Sequence, residues 1–167
     1  MSVEIRGAVI PLHPNYFLLQ RLFTALDQHN HATMGSCYHA EATFHDIAFN
    51  LERRQRIQSM WHMICEGTDI RAEFEVVHAN EQEGRVNLVD DYTFTDTGRH
   101  VHNVIDSRFR FRDGLIAEHR DFCDAHAWGA MALGGVSGFL AGRIRLLRSL
   151  KANRLLQKFI ETHPEYR

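Results

Sequence analysis

The sequence predicts one α+β domain, and three observations carry that prediction. Apolar residues recur at three- and four-residue steps up to about residue 66, they alternate with polar ones from residue 70 to 123, and turn dipeptides separate the alternating runs. Helices followed by an uninterrupted run of strands imply helices laid against one face of a curved antiparallel sheet. A chain of 167 residues is long enough for one such domain with a sizeable core and too short for a second catalytic domain.

The first helix is expected from Pro14 to about Gln28, where Phe17, Leu18, Leu22, Phe23 and Leu26 fall on one face. After the polar break Asp27-Gln28-His29-Asn30 a short helical stretch runs to Tyr38, and Ala42 to Phe49 reads as a short extended piece and loop that holds Asp46. The helical period returns from Arg53 to about Glu66 through Ile57, Met60, Trp61 and Ile64, with Gly67 at the stop. Four strands follow, Ile70 to Ala79, Val86 to Phe94, His100 to Phe111 and Leu115 to Cys123, rich in β-branched and aromatic residues. Glu83-Gly84, Thr97-Gly98 and Asp113-Gly114 close the turns between them, so the strands form an antiparallel meander. Beyond Ala125 the pattern is helical again after the joint Leu133-Gly134-Gly135. Leu140, Ile144, Leu147, Leu155 and Phe159 share one stripe of a helix from about Ser137 to Thr162, and Arg143, Arg145, Arg148, Lys151, Arg154 and Lys158 occupy its other faces.

Charge divides the chain. The 19 Lys and Arg against 21 Asp and Glu leave a formal charge of −2, yet residues 1–135 hold 12 basic and 19 acidic side chains while residues 136–167 hold 7 and 2. An acidic body (1–135) and a basic tail (136–167) are expected to pair, within one chain or across a homodimer, and packing of the tail's apolar face is favoured over contact with a membrane. The near-neutral total argues against a nucleic-acid binder, and a composition 44% hydrophobic and 24% charged is that of a soluble globular protein. No stretch approaches the roughly 18 apolar residues of a membrane span. Residues 1–6 lack the apolar core of a signal peptide, so a cytoplasmic location is the default expectation. Cys37, Cys65 and Cys123, without C-x-x-C spacing, argue against a disulfide framework and a zinc site.

Three local motifs carry a resemblance. Cys37-Tyr38-His39-Ala40-Glu41-Ala42-Thr43-Phe44-His45-Asp46, Phe109-Arg110-Phe111-Arg112-Asp113-Gly114-Leu115-Ile116-Ala117-Glu118 and Arg120-Asp121-Phe122-Cys123-Asp124 resemble the pocket mouth, a hairpin and a strand end of the SnoaL-like group in the nuclear transport factor 2 and ketosteroid isomerase-like superfamily. Together with the order of elements the resemblance covers Asp27 to Gly134, about two thirds of the chain. It implies a cone whose mouth opens between the concave sheet face and the helices, closed by a helix after the last strand, and often a dimer. It implies no single reaction, because the superfamily holds isomerases, polyketide cyclases, dehydratases, an epoxide hydrolase and many non-enzymes.

Strand alternation names the inward side chains independently of that resemblance. In the third strand Val101, Asn103, Ile105, Ser107, Phe109 and Phe111 share the buried face. Leu88, Asp90, Tyr92 and Phe94 form one set in the second strand, and Leu115, Ala117, His119, Asp121 and Cys123 one set in the fourth. If these sets face a cavity, Asp90, Asp121 and His119 meet Asp46 there. Carboxyls desolvated together do not all ionise cheaply, so at least one should titrate nearer neutrality, where a group accepts and returns a proton. Other readings stay open for each: His119 as a structural histidine, Asp121 ion-paired with Arg108 or Arg120, Asp90 outward with Asp91 inward, and Asp46 closing its own loop.

The resemblance narrows the chemistry further. In the steroid isomerases of the superfamily the catalytic carboxylate stands at the position of Asp46, but Leu22 or Phe23 occupies the oxyanion-hole Tyr position and Ser107 the Asp position, with Asp106 turned outward. The two catalytic carboxylates of the limonene epoxide hydrolases fall on Asp90 and Asp121, whereas Leu88, Phe44 and Asp46 replace the Arg, Tyr and Asn that accompany them. In SnoaL-type cyclases a strand-end Asp is the acid–base, which points to Asp121. His100-x-His102 and His29-x-His31 lack an evident third ligand, so no metal is expected. The sequence thus leads to a cofactor-free acid–base enzyme for a small apolar substrate, with catalytic Asp121, His119, Asp46 and Asp90 and pocket walls Phe44, Trp61, Tyr92, Asn103, Ile105 and Trp128. The alternative is a non-catalytic ligand pocket or dimer scaffold.

Overall fold

A computed structural model describes residues 2–5, 8–134 and 145–167. Ahead of the first expected helix it places a hairpin that the sequence reading left unassigned, β1 (Ser2–Ile5) paired with β2 (Ala8–Pro11). Helix α1 (Pro14–Asp27) starts on a proline, and His13 Nδ1 accepts the Asn15 N–H at 3.2 Å. It buries Leu19, Leu22, Phe23 and Leu26 completely. Helix α2 (His31–Ser36) is capped by the Asn30 side chain and stops short of Tyr38. Tyr38 instead opens β3 (Tyr38–His45), so strand begins four residues before the expected extended piece, and β4 (Asn50–Glu52) follows the Asp46 loop. Helix α3 (Arg54–Gly67) buries Ile57, Met60 and Trp61 as its periodicity requires.

The four expected strands appear as β5 (Arg71–Ala79), β6 (Glu83–Phe94), β7 (Arg99–Arg112) and β8 (Leu115–Cys123), an antiparallel meander. The sheet as a whole is mixed, because β3 lies parallel to β8 and the six strands run β4-β3-β8-β7-β6-β5. Helix α3 and strands β4 to β7 intervene between β3 and β8 in the chain, and a parallel neighbour needs such a long return. Two of the three expected turns stand. Gly98, Asp113 and Gly114 all have positive φ (67°, 54° and 71°), the conformation that favours glycine. The first turn differs: Asn80 Oδ1 accepts the N–H groups of Gln82 and Glu83, which places Glu83 and Gly84 inside β6. Gly84 is there for close approach, since a Cβ would stand 2.8 Å from Leu19 Cδ1.

A bulge in β8 corrects the expected inward set. Arg110 pairs with Glu118 but Phe111 pairs with Ile116, so one extra residue at Ala117 resets the alternation. Ile116 and His119 are both fully buried, and Leu115 and Ala117 are only half-buried.

Asp124 caps α4 (Ala125–Leu133), accepting the N–H groups of His126 and Ala127. The tail forms α5 (Arg145–Thr162) and a 3-10 turn (Pro164–Tyr166) against α3. Leu156, Ile160 and Tyr166 join the same core as α1 and α3. The buried stripe departs from the expected one at Leu156, which is inside while Leu155 is 48% exposed, whereas the expected Phe159 does pack against the core. The expected positions Leu140, Ile144 and Arg143 lie outside the described residues, as do the side chains of Arg145, Leu147 and Arg148.

Candidate active site

Between the concave sheet face, the loop after β3 and helices α3, α4 and α5 lies a cavity of about 460 Å³. All six expected wall residues, Phe44, Trp61, Tyr92, Asn103, Ile105 and Trp128, line it. So do Asp46, Asp90 and Asp121. Trp128 reaches across from α4 to donate its Nε1–H to Tyr92 Oη at 2.7 Å, fixing two of the walls to each other. Lys151, Ala152 and Leu155 of α5 stand at the rim, where Lys151 pairs with Asp96.

His119 is the exception among the four expected catalytic residues. Its side chain is fully buried and does not line the cavity. It stands behind Asp121, and Phe44, Phe109 and Trp61 pack around its ring. The polar atoms around it form a single chain. Trp61 Nε1–H donates to Tyr38 Oη at 3.1 Å, Tyr38 Oη is 2.8 Å from His119 Nδ1, and His119 Nε2 is 2.8 Å from Asp121 Oδ1. The indole is a donor only, so Tyr38 Oη accepts from it; with a neutral imidazole that donates Nε2–H to the carboxylate, the phenol donates to Nδ1. Ser107, opposite Asp121 in the β7–β8 ladder, adds its hydroxyl to the same oxygen at 2.5 Å. Both bonds fall on Oδ1, which leaves Oδ2 for the cavity.

The ion pairs weighed for Asp121 do not form. Arg108 turns to the outer sheet face and pairs with Asp106, and Arg120 pairs with Glu118. Asp90 faces inward and Asp91 faces His100 and His102 at the other side of β6. Among the described residues Asp90 Oδ1 has no hydrogen-bond partner. Burial holds the Asp90 carboxyl well above the ordinary carboxylate range, with the charges of Asp121 and then Asp91 acting in the same direction. Burial likewise pushes Asp46 up to about 6, against the Phe49 and Ala48 N–H groups that its Oδ1 accepts. Asp46 therefore does close its own loop, and it also faces the cavity. One sheet face thus presents Asp90, whose burial favours the protonated form, and a hydrogen-bonded Asp121 to an apolar space.

Residues 19–119, more than half of the chain, match the family model of the SnoaL-like domain. The chain belongs to the SnoaL-like family. The match ends two residues before Asp121. Among solved structures the SnoaL-like chain is similar to a candidate polyketide cyclase from Xanthomonas campestris, at 16% identity over 71% of this chain and 96% of that one with a TM-score of 0.63. It is also similar to an LEH-like epoxide hydrolase of M. tuberculosis, at 16% identity over 80% and 95% with a TM-score of 0.58. A third likeness is to a protein of ketosteroid isomerase-like fold from Catenulispora acidiphila in complex with trimethylamine, at 14% identity over 72% and 95% with a TM-score of 0.62. These likenesses are of fold. No curated protein sequence matches this SnoaL-like chain.

Tyr38 and the placing role of Ser107 escaped the sequence reading. Ser107 sat on the predicted inward face without an assigned partner, and nothing local marks Tyr38, whose contact with His119 spans strands far apart in the chain.

Proposed function

We propose that this SnoaL-like protein is an acid–base enzyme for a small, mostly apolar molecule bearing one reactive oxygen, a carbonyl or an epoxide. Asp121 is the base and Asp90 the proton donor. Asp121 takes a proton from a carbon beside the carbonyl, or from a water that opens the epoxide, while the Asp90 O–H hydrogen-bonds or protonates the substrate oxygen; the transferred protons are then returned or exchanged, with no change of oxidation state. His119, expected as a partner in catalysis, becomes a positioning residue that holds Asp121 from behind. Asp46 supplies a third carboxyl to the cavity.

The observation that carries this reading is the pairing in one apolar cavity of a buried Asp90, whose Oδ1 has no partner among the described residues, with an Asp121 held on one oxygen by Ser107 and His119. A carboxyl whose burial favours its protonated form, set beside one held by hydrogen bonds, is the arrangement acid–base chemistry needs. The binding-only reading draws on Leu88, which is 1% exposed where the resemblance places the hydrolases' Arg.

The test is turnover of a panel of apolar ketones and epoxides. Asp121→Asn, which preserves the oxygen that Ser107 and His119 grip, should lower kcat/KM about 10²-fold or more. Asp90→Leu should do the same and Asp90→Asn, which keeps a donor, should lose less. Tight binding without turnover, equal in wild type and Asp121→Asn, would establish the binding-only reading instead.

A further inference from the structure

Away from the cavity, α3 and the chain end build a second cluster of titratable side chains. His62 and Glu66 stand one turn apart on α3 with His62 Nε2 2.9 Å from Glu66 Oε1. His163, in the link between α5 and the 3-10 turn, brings its Nε2 to 3.9 Å from Glu66 Oε2. One ligand atom from each of the three lies within 4.8 Å of the others. Four-coordinate zinc, with bonds near 2.0–2.2 Å, needs its ligand atoms about 3.4 Å apart, so the cluster is within a small side-chain adjustment of that spacing.

Hydrogen bonds orient both imidazoles toward Glu66. His163 Nδ1 lies 2.8 Å from the Phe159 carbonyl, which accepts only, so the ring proton is on Nδ1 and the Nε2 lone pair points toward Glu66. His62 Nε2–H donates to Glu66 Oε1 at 2.9 Å, a proton that a bound metal ion would replace, and its Nδ1 lies 3.1 Å from the Tyr166 hydroxyl, which donates or accepts as the tautomer requires. Each imidazole thus has the outer partner on its far nitrogen that metal-bound histidines use to fix tautomer and ring orientation. His31 stacks flat on His62, with ring centroids 3.5 Å apart, and its Nδ1 is buried with no partner among the described residues.

We propose that His62, Glu66 and His163 form a divalent-metal site of the zinc type that staples the C-terminal segment to α3. Two imidazoles and a carboxylate suit a borderline cation such as Zn²⁺, Co²⁺ or Ni²⁺ rather than Mg²⁺ or Ca²⁺. Glu66 is 56% exposed, so water completes the coordination from the solvent side. None of the three lines the cavity, which makes the site structural and independent of the acid–base reading.

The experiment titrates chelator-treated full-length protein with Co²⁺ and Zn²⁺. Wild type should take up one Co²⁺ per chain with visible absorption bands of a nitrogen–oxygen site, Zn²⁺ should displace it, and saturating Zn²⁺ should raise the melting temperature by several degrees. Glu66→Gln and His163→Ala, both on partly exposed side chains, should weaken binding at least tenfold and abolish the thermal shift, whereas the surface pair change His100→Ala with His102→Ala should alter neither. Absence of saturable binding, a stoichiometry other than one, or binding lost only in the His100/His102 variant would overturn the proposal.

Discussion

Asp46 carries its own pH signature. Burial raises its carboxyl from 3.8 to about 6 in the folded chain, so the native state binds this proton more tightly than the unfolded state does. The contribution of Asp46 is therefore unfavourable above about pH 6, and it is relieved as pH falls from 6 toward 4. Asp46→Asn retains a side-chain oxygen for the Ala48 and Phe49 N–H groups and removes the charge. It should stabilise the protein by about 3 kcal/mol at pH 8 and by less than about 1 kcal/mol at pH 4, as read from urea unfolding at the two pH values. A stabilisation independent of pH would mean that the Asp46 charge is not the cause. At this scale the sequence marked three of the four titratable residues correctly as facing one space, because strand parity and a loop aspartate are local properties. It misplaced His119 by one layer: parity states that a side chain points inward, and only packing states whether it reaches the cavity or stops behind another residue.

Among the elements, β8 and β6 show where periodicity alone gives out. The bulge at Ala117 flips half of β8, and no residue in Leu115 to Glu118 announces it; the Asp113-Gly114 hairpin and the parallel pairing to β3 must both be met, and the extra residue absorbs the mismatch. In β6, Gly84 reads as turn chemistry in isolation. In the fold Leu19 and Phe111 press on it, at 2.8 and 3.0 Å from where a Cβ would stand. Gly84→Ala should therefore destabilise by about 1–2 kcal/mol through overpacking of α1 on the sheet, measured as a lower urea midpoint. Gly67→Ala, with open space around it, is the control and should lack that overpacking penalty. Equal effects at the two sites would remove the close-contact explanation.

The whole molecule closes over its own tail. Leu156, Ile160 and Tyr166 bury themselves against α3, and Lys151 meets Asp96 at the cavity rim, so part of the basic tail does rest on the acidic body. Among the described residues no helix is long and apolar enough to cross a membrane. Deleting residues 145–167 should cost about 3 kcal/mol or more, the scale of removing several buried side chains at once. It should also weaken ligand binding in the cavity, whose rim includes Ala152 and Leu155. A truncated chain with an unchanged urea midpoint would show that this packing contributes nothing to stability. By itself the sequence determined the α+β class, three helices, the four-stranded meander, and the inward aspartates, since periodicity, caps and turn dipeptides act over a few residues. Tertiary structure alone decided the parallel β3–β8 pairing, the phase of α5, the hydrogen-bonded line from Trp61 to Asp121 and the gathering of His62, Glu66 and His163. Each of those depends on contacts between segments remote in the chain, whose geometry is set by how the whole core packs rather than by any local pattern.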